Sequence, residues 1–440
     1  MLDTTGAPHS VLQLSGMQST TPDTTWSDRT LENGLRVVIQ ADATSPTVAV
    51  TVGYHVGGKD DPQGRSGFAH LFEHLMFKGT ENTPAETIDR LTEDVGGFNN
   101  AYTTADLTMY YEVVPANYLE VMLWAEADRL ASLRVDEQNF ATEREVVIGE
   151  YDQRILAEPY GLLDELVERQ VFSDHAYANG VIGDPDSLRA ASLDDVLAFH
   201  RTYYRPDNAV LVVVGDLDVA QTNAWVDRYF QPIARPTHVL PRIAVPEYRL
   251  PDMLRMTHVG QNVPLLALNY AYRLPVFSDD EAALVDIVEC VLGLGKSSRI
   301  FKALVHDAQV AAQAFTDGDF REHAGLFQIR AVLHDAAQLP QAEALVQGEI
   351  ERICSENITM AELRRAQNQL ASLLVRRSEG ANDRSLAYAH DALLRNDPRA
   401  AQADARRYRE ATVADVRRMA ERLFAEPPAI LEYRPQNEEG

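Results

Sequence analysis

Two histidines and one glutamate lie close together in the segment 69–75, which reads Ala-His-Leu-Phe-Glu-His-Leu. On an α-helix with 3.6 residues per turn, His70 and His74 differ in direction by only about 40°, so both imidazoles can bind one ion. Glu73 lies beside them on the same helix, near a water molecule that such an ion would hold. We therefore predict a zinc site with hydrolytic chemistry at His70, Glu73 and His74.

The alternative is that these three residues are ordinary polar residues on a solvated helix face. Their neighbours argue against it, because burying two imidazoles and a carboxylate without a partner in an apolar segment is costly. The apolar neighbours are Phe68, Leu71, Phe72, Leu75, Met76 and Phe77.

A zinc site of this kind needs one more protein ligand, and Glu150 is the best candidate. The order H-x-x-E-H is the inverse of the commoner H-E-x-x-H, so the third ligand is sought downstream. Glu143 and Glu150 are seven residues apart on one predicted helix stripe, with Val147 between them. Two carboxylates where an amphipathic helix usually has aliphatic residues suggest a face turned towards a cation. On the residues alone, a solvated face explains the pattern equally well.

The motif pair resembles the pitrilysin/insulinase superfamily of zinc metallopeptidases, the inverzincins. The last histidine of H-x-x-E-H is followed seventy-six residues later by the final glutamate of an E-R-x-x-V-x-x-E helix. At 49.0 kDa, the chain is similar to the two-domain branch that includes the mitochondrial processing peptidases. The resemblance extends to four further segments. They are the family's opening hairpin at 31–38, its G-G-x-x-N-A-x-T strand at 96–103, the closing strand of its first domain at 204–216 and its second-domain signature at 295–301.

This resemblance implies a zinc endopeptidase that binds one Zn²⁺ per chain. His70, His74 and Glu150 would be the ligands, and Glu143 would be an outer carboxylate that supports a ligand imidazole. Zinc lowers the pKa of a bound water towards ~7, and Glu73 would take the proton of that water and pass it to the leaving amine.

The segment from Gly96 predicts how a peptide substrate is held. A Gly-Gly turn leads into residues that favour extended structure, among them Asn100, Ala101 and Tyr102. In the resembling family this strand edge holds the substrate as an added β-strand, which recognises main chain more than side chain and suits unfolded peptides. The alternative is that the tyrosines of this region, including Tyr110 and Tyr111, are ordinary sheet residues.

Length and internal repetition predict two homologous domains. At 440 residues, 45% of them hydrophobic, the chain exceeds what one core usually supports. The segment 191–196 recurs at 411–416, and the strand beginning at Ala209 recurs at Ala429 with the same offset. We predict a polar leader at 1–28, a catalytic zinc-binding domain at 29–231, a Pro-rich linker at 232–246 and a homologous non-catalytic domain at 247–440.

The predicted fold class is α+β, with a largely antiparallel sheet packed against helices in each domain. The resemblance implies that the two domains form half of a clam-shell chamber. Thr83-Pro-Ala-Glu86 predicts a capping box that opens a helix. The second-domain counterpart of the zinc helix, at 283–293, contains no histidine, so only the first domain is expected to be catalytic.

The second domain departs from the family pattern at two positions. Active members carry an Arg and a Tyr there that reach across the chamber to the substrate, whereas this chain has Val305 and Ala312. We therefore predict a heterodimer with a homologous subunit that supplies the missing Arg and Tyr. Two alternatives are a homodimer in which other side chains have taken over, and a non-catalytic subunit that binds peptide or scaffolds a complex.

The net charge and hydropathy of the chain argue against several kinds of binding partner. A formal net charge of −26 disfavours nucleic acid and anionic membranes. No run of residues reaches transmembrane length, and the N-terminus lacks a signal-peptide hydrophobic core, so we expect a soluble protein. The Thr- and Ser-rich leader resembles the start of an exported protein whose signal has been removed, which favours the bacterial periplasm over the cytoplasm. The two cysteines, Cys290 and Cys354, form no metal motif.

Overall fold

The computed structural model describes residues 25–173, 175–243 and 253–436. Two sheets carry the fold, and helices pack against both of them. The strands are β1 Trp26–Thr30, β2 Arg36–Ala41, β3 Thr47–Tyr54, β4 Phe98–Thr103, β5 Thr108–Pro115, β6 Ala209–Gly215, β7 Leu254–Gly260, β8 Ala267–Leu274, β9 Ala311–Asp319, β10 Gly325–Leu333 and β11 Ala429–Pro435.

Fifteen α-helices are found in the described residues. They are α1 Phe68–Leu75, α2 Thr87–Glu93, α3 Leu119–Ser132, α4 Glu137–Tyr151, α5 Leu163–Val171, α6 Pro185–Ala190, α7 Leu193–Tyr203, α8 Val219–Tyr229, α9 Asp279–Leu292, α10 Arg299–Phe301, α11 Leu339–Ser355, α12 Met360–Arg377, α13 Ala381–Leu394, α14 Asp404–Glu410 and α15 Val413–Leu423. Within the same residues, no helix is long and apolar enough to cross a membrane.

The five strands of the second sheet match five of the six strands of the first sheet in order, and β1 has no counterpart among the described strands. The first has the strand order β1-β2-β6-β3-β5-β4, and the second has the order β7-β11-β8-β10-β9. Among the described strands, β2 and β6 are the one parallel pair of the first sheet, and β7 and β11 are the one parallel pair of the second. The predicted α+β class, with two homologous and largely antiparallel domains, is confirmed.

The repeat seen in the sequence corresponds to equivalent elements in the two halves. Helices α7 and α15 both begin with a capping box, formed by Ser192 with Asp195 and by Thr412 with Asp415. The strands that follow, β6 and β11, each pair in parallel with one neighbour and antiparallel with the other. One supersecondary unit is therefore used twice.

One helix from each half packs against the sheet of the other half. Helix α5, from the first half, packs on β8 and β11. Helix α13, from the second half, covers the face of the first sheet opposite α1, and there Ser385 and Thr51 place their hydroxyl oxygens 2.8 Å apart in a buried hydrogen bond. With both faces covered, central strands such as β3 and β6 are apolar along nearly their whole length.

This exchange bears on the predicted domain boundaries. The predicted domains at 29–231 and 247–440 divide the chain by sequence position. In the structure, each sheet packs against helices from both ranges. The linker end at 244–246 lies outside the described residues, as does the leader from 1 to 24. Strand β1 begins at Trp26, so the last residues assigned to the leader form sheet instead. The boundaries of the linker stay predictions.

The predicted capping box at Thr83 is wrong. Helix α2 begins at Thr87, after Glu86, whose φ of 61° is left-handed, and no side chain caps it. The backbone N–H of Thr83 donates to the Thr80 hydroxyl at 2.9 Å, so Thr83 belongs to a turn before the helix. Local side-chain bonds of this kind compete with helix initiation.

Candidate metal centre

Helix α1 places the H-x-x-E-H residues against the first core. Phe68, Leu71, Phe72 and Leu75 are fully buried, and His70 is buried with them. The helix starts after Gly67, where φ is +91° and a Cβ atom would lie 2.7 Å from the Ile182 carbonyl oxygen, so only glycine fits. Buried apolar contacts therefore fix which side of α1 faces the site.

The side chain of Asp61 secures the first turn of α1. It accepts hydrogen bonds from the backbone N–H groups of Gly67 at 2.6 Å and Ala69 at 3.0 Å. Two N–H groups that a helix start would otherwise leave without partners are satisfied in this way.

Helix α4 packs against α1 and carries both predicted glutamates. Asp136 caps its N-terminus, with a side chain that accepts from the backbone N–H of Asn139 at 2.8 Å. Val147 is fully buried between the turns that carry Glu143 and Glu150. The stripe predicted for these residues therefore faces α1.

Three ligand atoms converge between the two helices. The Oε2 atom of Glu150 lies 3.4 Å from Nε2 of His74 and 3.7 Å from Nε2 of His70. Within the part of the chain that the structure describes, these three residues form the one group of three or more His, Cys, Asp or Glu side chains whose ligand atoms all lie within 4.8 Å of one another. Two imidazole nitrogens and one carboxylate oxygen are a donor set that suits zinc.

The two histidines differ in their surroundings. Burial, together with the neighbouring His74, lowers the pKa of His70 to about 4, which keeps its imidazole neutral as a ligand must be. Its Nδ1 atom is buried and has no hydrogen-bond partner among the described residues. For His74 burial acts to lower the pKa, but the contact with Glu143 and the nearby carboxylates of Glu73 and Glu150 outweigh it and raise the pKa.

Glu143 lies behind His74, away from the three converging atoms. Its Oε2 is 3.4 Å from Nδ1 of His74, and its Oε1 is 3.0 Å from Nζ of Lys78. Burial acts to raise the pKa of Glu143, but these two partners lower it overall, so the group is a carboxylate. This is the position from which an outer carboxylate orients a ligand imidazole.

Glu73 is held by a residue of strand β4. The Thr103 hydroxyl donates to its Oε2 at 2.6 Å, and the same oxygen lies 4.0 Å from Nε2 of His70. Burial raises the pKa of Glu73, and the Thr103 hydrogen bond offsets part of that rise. A carboxylate with a raised pKa beside the histidines is suited to accept and return a proton.

Of the strands that the structure describes, β4 is the outermost in the first sheet, and it pairs with β5 alone. Asn100 and Tyr102 lie opposite Tyr111 and Met109 of β5, and the Asn100 side chain accepts from the backbone N–H of Ala101 at 2.8 Å. The three residues predicted to hold substrate thus lie on a sheet edge, on the strand that ends at Thr103. Their role in binding stays a prediction.

Three residues at this site were not predicted. Lys78 contacts Glu143, Thr103 contacts Glu73, and Arg154 donates to Oε1 of Glu150 at 2.6 Å. Arg154 lies four residues beyond Glu150, a spacing that brings helical side chains together and that was a usable signal. Lys78 follows the end of α1 and contacts Glu143 of α4, so spacing within one helix does not reveal it. Thr103 is distant in sequence, so only the fold reveals its contact.

Val305 and Ala312, where the resemblance led us to expect an Arg and a Tyr, lie in the second half. Val305 is in a π-helical turn at 302–307 and packs against the second core, and Ala312 is exposed on β9. Neither side chain is a hydrogen-bond donor.

Two protein-family descriptions match adjacent parts of the chain. Residues 36–185 match the family described as insulinase (peptidase family M16). Residues 190–370 match the one described as the peptidase M16 inactive domain. The site residues all fall in the first range, and α9, which lacks histidine, falls in the second.

Relatives in several organisms match most of the chain. A zinc protease of Helicobacter pylori, PqqE, is 29% identical over 399 residues, covering 90% of this chain and 89% of that protein. A probable mitochondrial-processing peptidase subunit beta of Arabidopsis thaliana is 23% identical over 391 residues, covering 85% of this chain and 71% of that protein.

Solved structures share the fold. The crystal structure of a protease from Helicobacter pylori superimposes with a TM-score of 0.86 at 28% identity, covering 93% of this chain and 99% of that chain. The first half of the periplasmic protease PqqL from Escherichia coli gives a TM-score of 0.77 at 17% identity, covering 95% and 93%. At that identity the second likeness concerns the fold alone.

Proposed function

Because the chain belongs to the M16 (insulinase/pitrilysin) family of peptidases, we propose that it is a zinc-dependent endopeptidase subunit that hydrolyses unfolded peptides. The observation that carries the proposal is the convergence of His70, His74 and Glu150 beside Glu73. In this family, relatives such as the Helicobacter pylori protein are named zinc proteases.

In the proposed site, His70, His74 and Glu150 would hold one zinc ion, which would supply Lewis-acid chemistry towards water and a peptide carbonyl. Glu73 takes a proton from the attacking water and gives it to the leaving amine. Thr103 keeps the Glu73 carboxylate in place through its 2.6 Å hydrogen bond. Glu143, which itself contacts Lys78, fixes the ring of His74.

We propose that the substrate pairs with the free edge of β4 as an added strand. Asn100, Ala101 and Tyr102 lie on this edge, and Thr103 at the end of the strand contacts Glu73. A peptide aligned on β4 is thereby directed towards the proposed base. Such pairing uses backbone hydrogen bonds, which makes cleavage depend on an extended, unfolded substrate.

We further propose that the active form is a heterodimer. Val305 and Ala312 cannot donate the hydrogen bonds that the family's Arg and Tyr would supply, so a homologous subunit with those residues would complete the substrate site.

We also propose the bacterial periplasm as the compartment, on the basis of the polar segment 1–28; cell fractionation tests that assignment.

Metal content and peptide cleavage test the function together. The purified chain, alone and with candidate homologous subunits, is expected to bind near one equivalent of zinc and to cleave an unstructured peptide, with activity lost to a chelator and restored by zinc. Zinc binding without cleavage in every combination would favour the alternative, a non-catalytic subunit that binds peptide or scaffolds a complex.

A further inference from the structure

The two carboxylate oxygens of Glu150 have different partners. Oε2 faces Nε2 of both histidines, at 3.4 and 3.7 Å. Oε1 points the other way and accepts a hydrogen bond from the guanidinium of Arg154 at 2.6 Å. The carboxylate is thus divided between the histidines on one side and a cation on the other.

The backbone after α4 brings Arg154 to this position. Helix α4 ends at Tyr151, and the chain continues as a π-helical turn over Asp152–Leu156, closed by a 2.9 Å hydrogen bond from the N–H of Ala157 to the carbonyl of Asp152. Single π turns of this kind occur often at functional sites. Arg154 lies within this turn, four residues beyond Glu150 in the chain, and there its side chain meets that of Glu150.

The other cation at the site is already engaged. Nζ of Lys78 lies 3.0 Å from Oε1 of Glu143, whereas Arg154 contacts Glu150. The positive charge of Arg154 also acts to lower the pKa of His70 and of Glu73. A carboxylate held by a charged donor is restricted in rotation, since such a hydrogen bond is short and about twice as strong as a neutral one. Restricting Glu150 keeps Oε2 directed at the histidines.

We propose that Arg154 is a positioning residue for the metal ligand Glu150, which it holds by Oε1 so that Oε2 stays free for the ion. The inference rests on the proposed function in that the ion is zinc. It predicts that Glu150 binds the ion as a monodentate ligand, because Oε1 is occupied by the guanidinium of Arg154.

A competing description is an ordinary surface ion pair. The Arg154 side chain is 67% exposed and that of Glu150 is 21% exposed, and ion pairs at exposed i,i+4 positions usually contribute little. If Arg154 did no more than neutralise part of the ligand charge, its removal would leave zinc binding unchanged or tighten it. Only the positioning role therefore predicts that removing Arg154 weakens zinc binding.

Zinc affinity measured by chelator competition separates them, using R154A, R154K and the parent. We expect R154A to bind zinc about 10- to 100-fold more weakly, as the loss of outer partners typically does, and R154K to retain most of the affinity because it keeps a charged donor. R352A is the matched control: Arg352 contacts Glu349 at 2.7 Å with side-chain exposures of 54% and 12%, and its loss should not alter zinc binding.

The affinity is read without any substrate, so its outcome is distinct from that of the peptidase assay. R154A that binds zinc as tightly as the parent, or more tightly, would overturn the positioning role even if the parent cleaves peptides. A parent whose zinc binding is weakened by R154A, but which cleaves no peptide either alone or with any homologous subunit, would reject the endopeptidase function and support the role of Arg154. Equal thermal midpoints of the metal-free variants verify that the fold is unchanged.

Discussion

At the scale of single residues, Glu73 and Glu150 are expected to fail in different ways. Glu73→Gln removes the proposed base and leaves the ligand atoms in place, so it should keep near-stoichiometric zinc while losing on the order of 10²-fold or more in turnover. Glu150→Gln removes a ligand carboxylate and should lose zinc as well as turnover. Metal analysis beside kcat distinguishes the two, and a Glu150 variant that holds zinc as tightly as the parent would show that the third ligand is another residue.

Thr103 gives a prediction about pH. Its hydrogen bond to Glu73 favours the ionised carboxylate, which lowers the pKa of Glu73 against the rise caused by burial. Thr103→Val removes the bond, so the pKa of Glu73 rises further. Because a base acts only when deprotonated, the acidic limb of the pH profile of kcat/KM should move to higher pH.

The serine variant is the control for this shift. Thr103→Ser keeps the hydroxyl and should leave the acidic limb near that of the parent. An unmoved limb in Thr103→Val, with a lower plateau, would mean that Thr103 supports the strand and does not tune Glu73.

At the scale of secondary-structure elements, the exchange of α5 and α13 joins the two halves. Leu163 of α5 is buried on the second sheet, in a cluster with residues of β8 and β11. Leu163→Ala should cost about 2–5 kcal/mol through lost burial and the cavity left behind. The thermal midpoint should fall, and unfolding should remain a single transition, because each half packs a helix on the sheet of the other and the two should unfold together.

A surface leucine is the comparison for this variant. Leu156 is 50% exposed, and its replacement by alanine should change stability by no more than about 0.5 kcal/mol. Two separate thermal transitions in Leu163→Ala would contradict the view that the exchanged helices couple the halves.

At the scale of the whole molecule, the prediction concerns assembly. A homodimer would present only Val305 and Ala312 at the positions where the heterodimer proposal requires an Arg and a Tyr. Losing one donor that stabilises charge in a transition state commonly costs ~3 kcal/mol, so the chain alone should be a poor peptidase. Reconstitution with a homologous subunit that retains the Arg and Tyr should raise kcat/KM by about 10²-fold or more for each donor that acts in this way.

The measurement is the activity of the isolated chain against that of the reconstituted pair. Full activity of the chain alone, unchanged by any partner, would reject the heterodimer and indicate that other side chains have taken over. A partner altered at its own Arg and Tyr is the control, because it should assemble without restoring activity.

Local periodicity by itself determined several features. Helical spacing alone puts His70 and His74 on one side of α1 and aligns Glu143 with Glu150 on α4. The identical offset between the two halves determined the duplicated fold, because a repeat of the sequence pattern repeats the same strands and helices. These features depend on residues near each other in the chain or on a shift of the whole pattern.

Only the tertiary structure decided the contacts between distant elements. It packs α4 on α1 so that Oε2 of Glu150 approaches both imidazoles, and it brings Thr103 of β4 to Glu73. It also exchanges α5 and α13 between the sheets, and it ties Thr83 to Thr80 in a turn where the local pattern favoured a helix cap. Each of these outcomes depends on which apolar faces bury one another, and pattern within one segment carries no information about its partner.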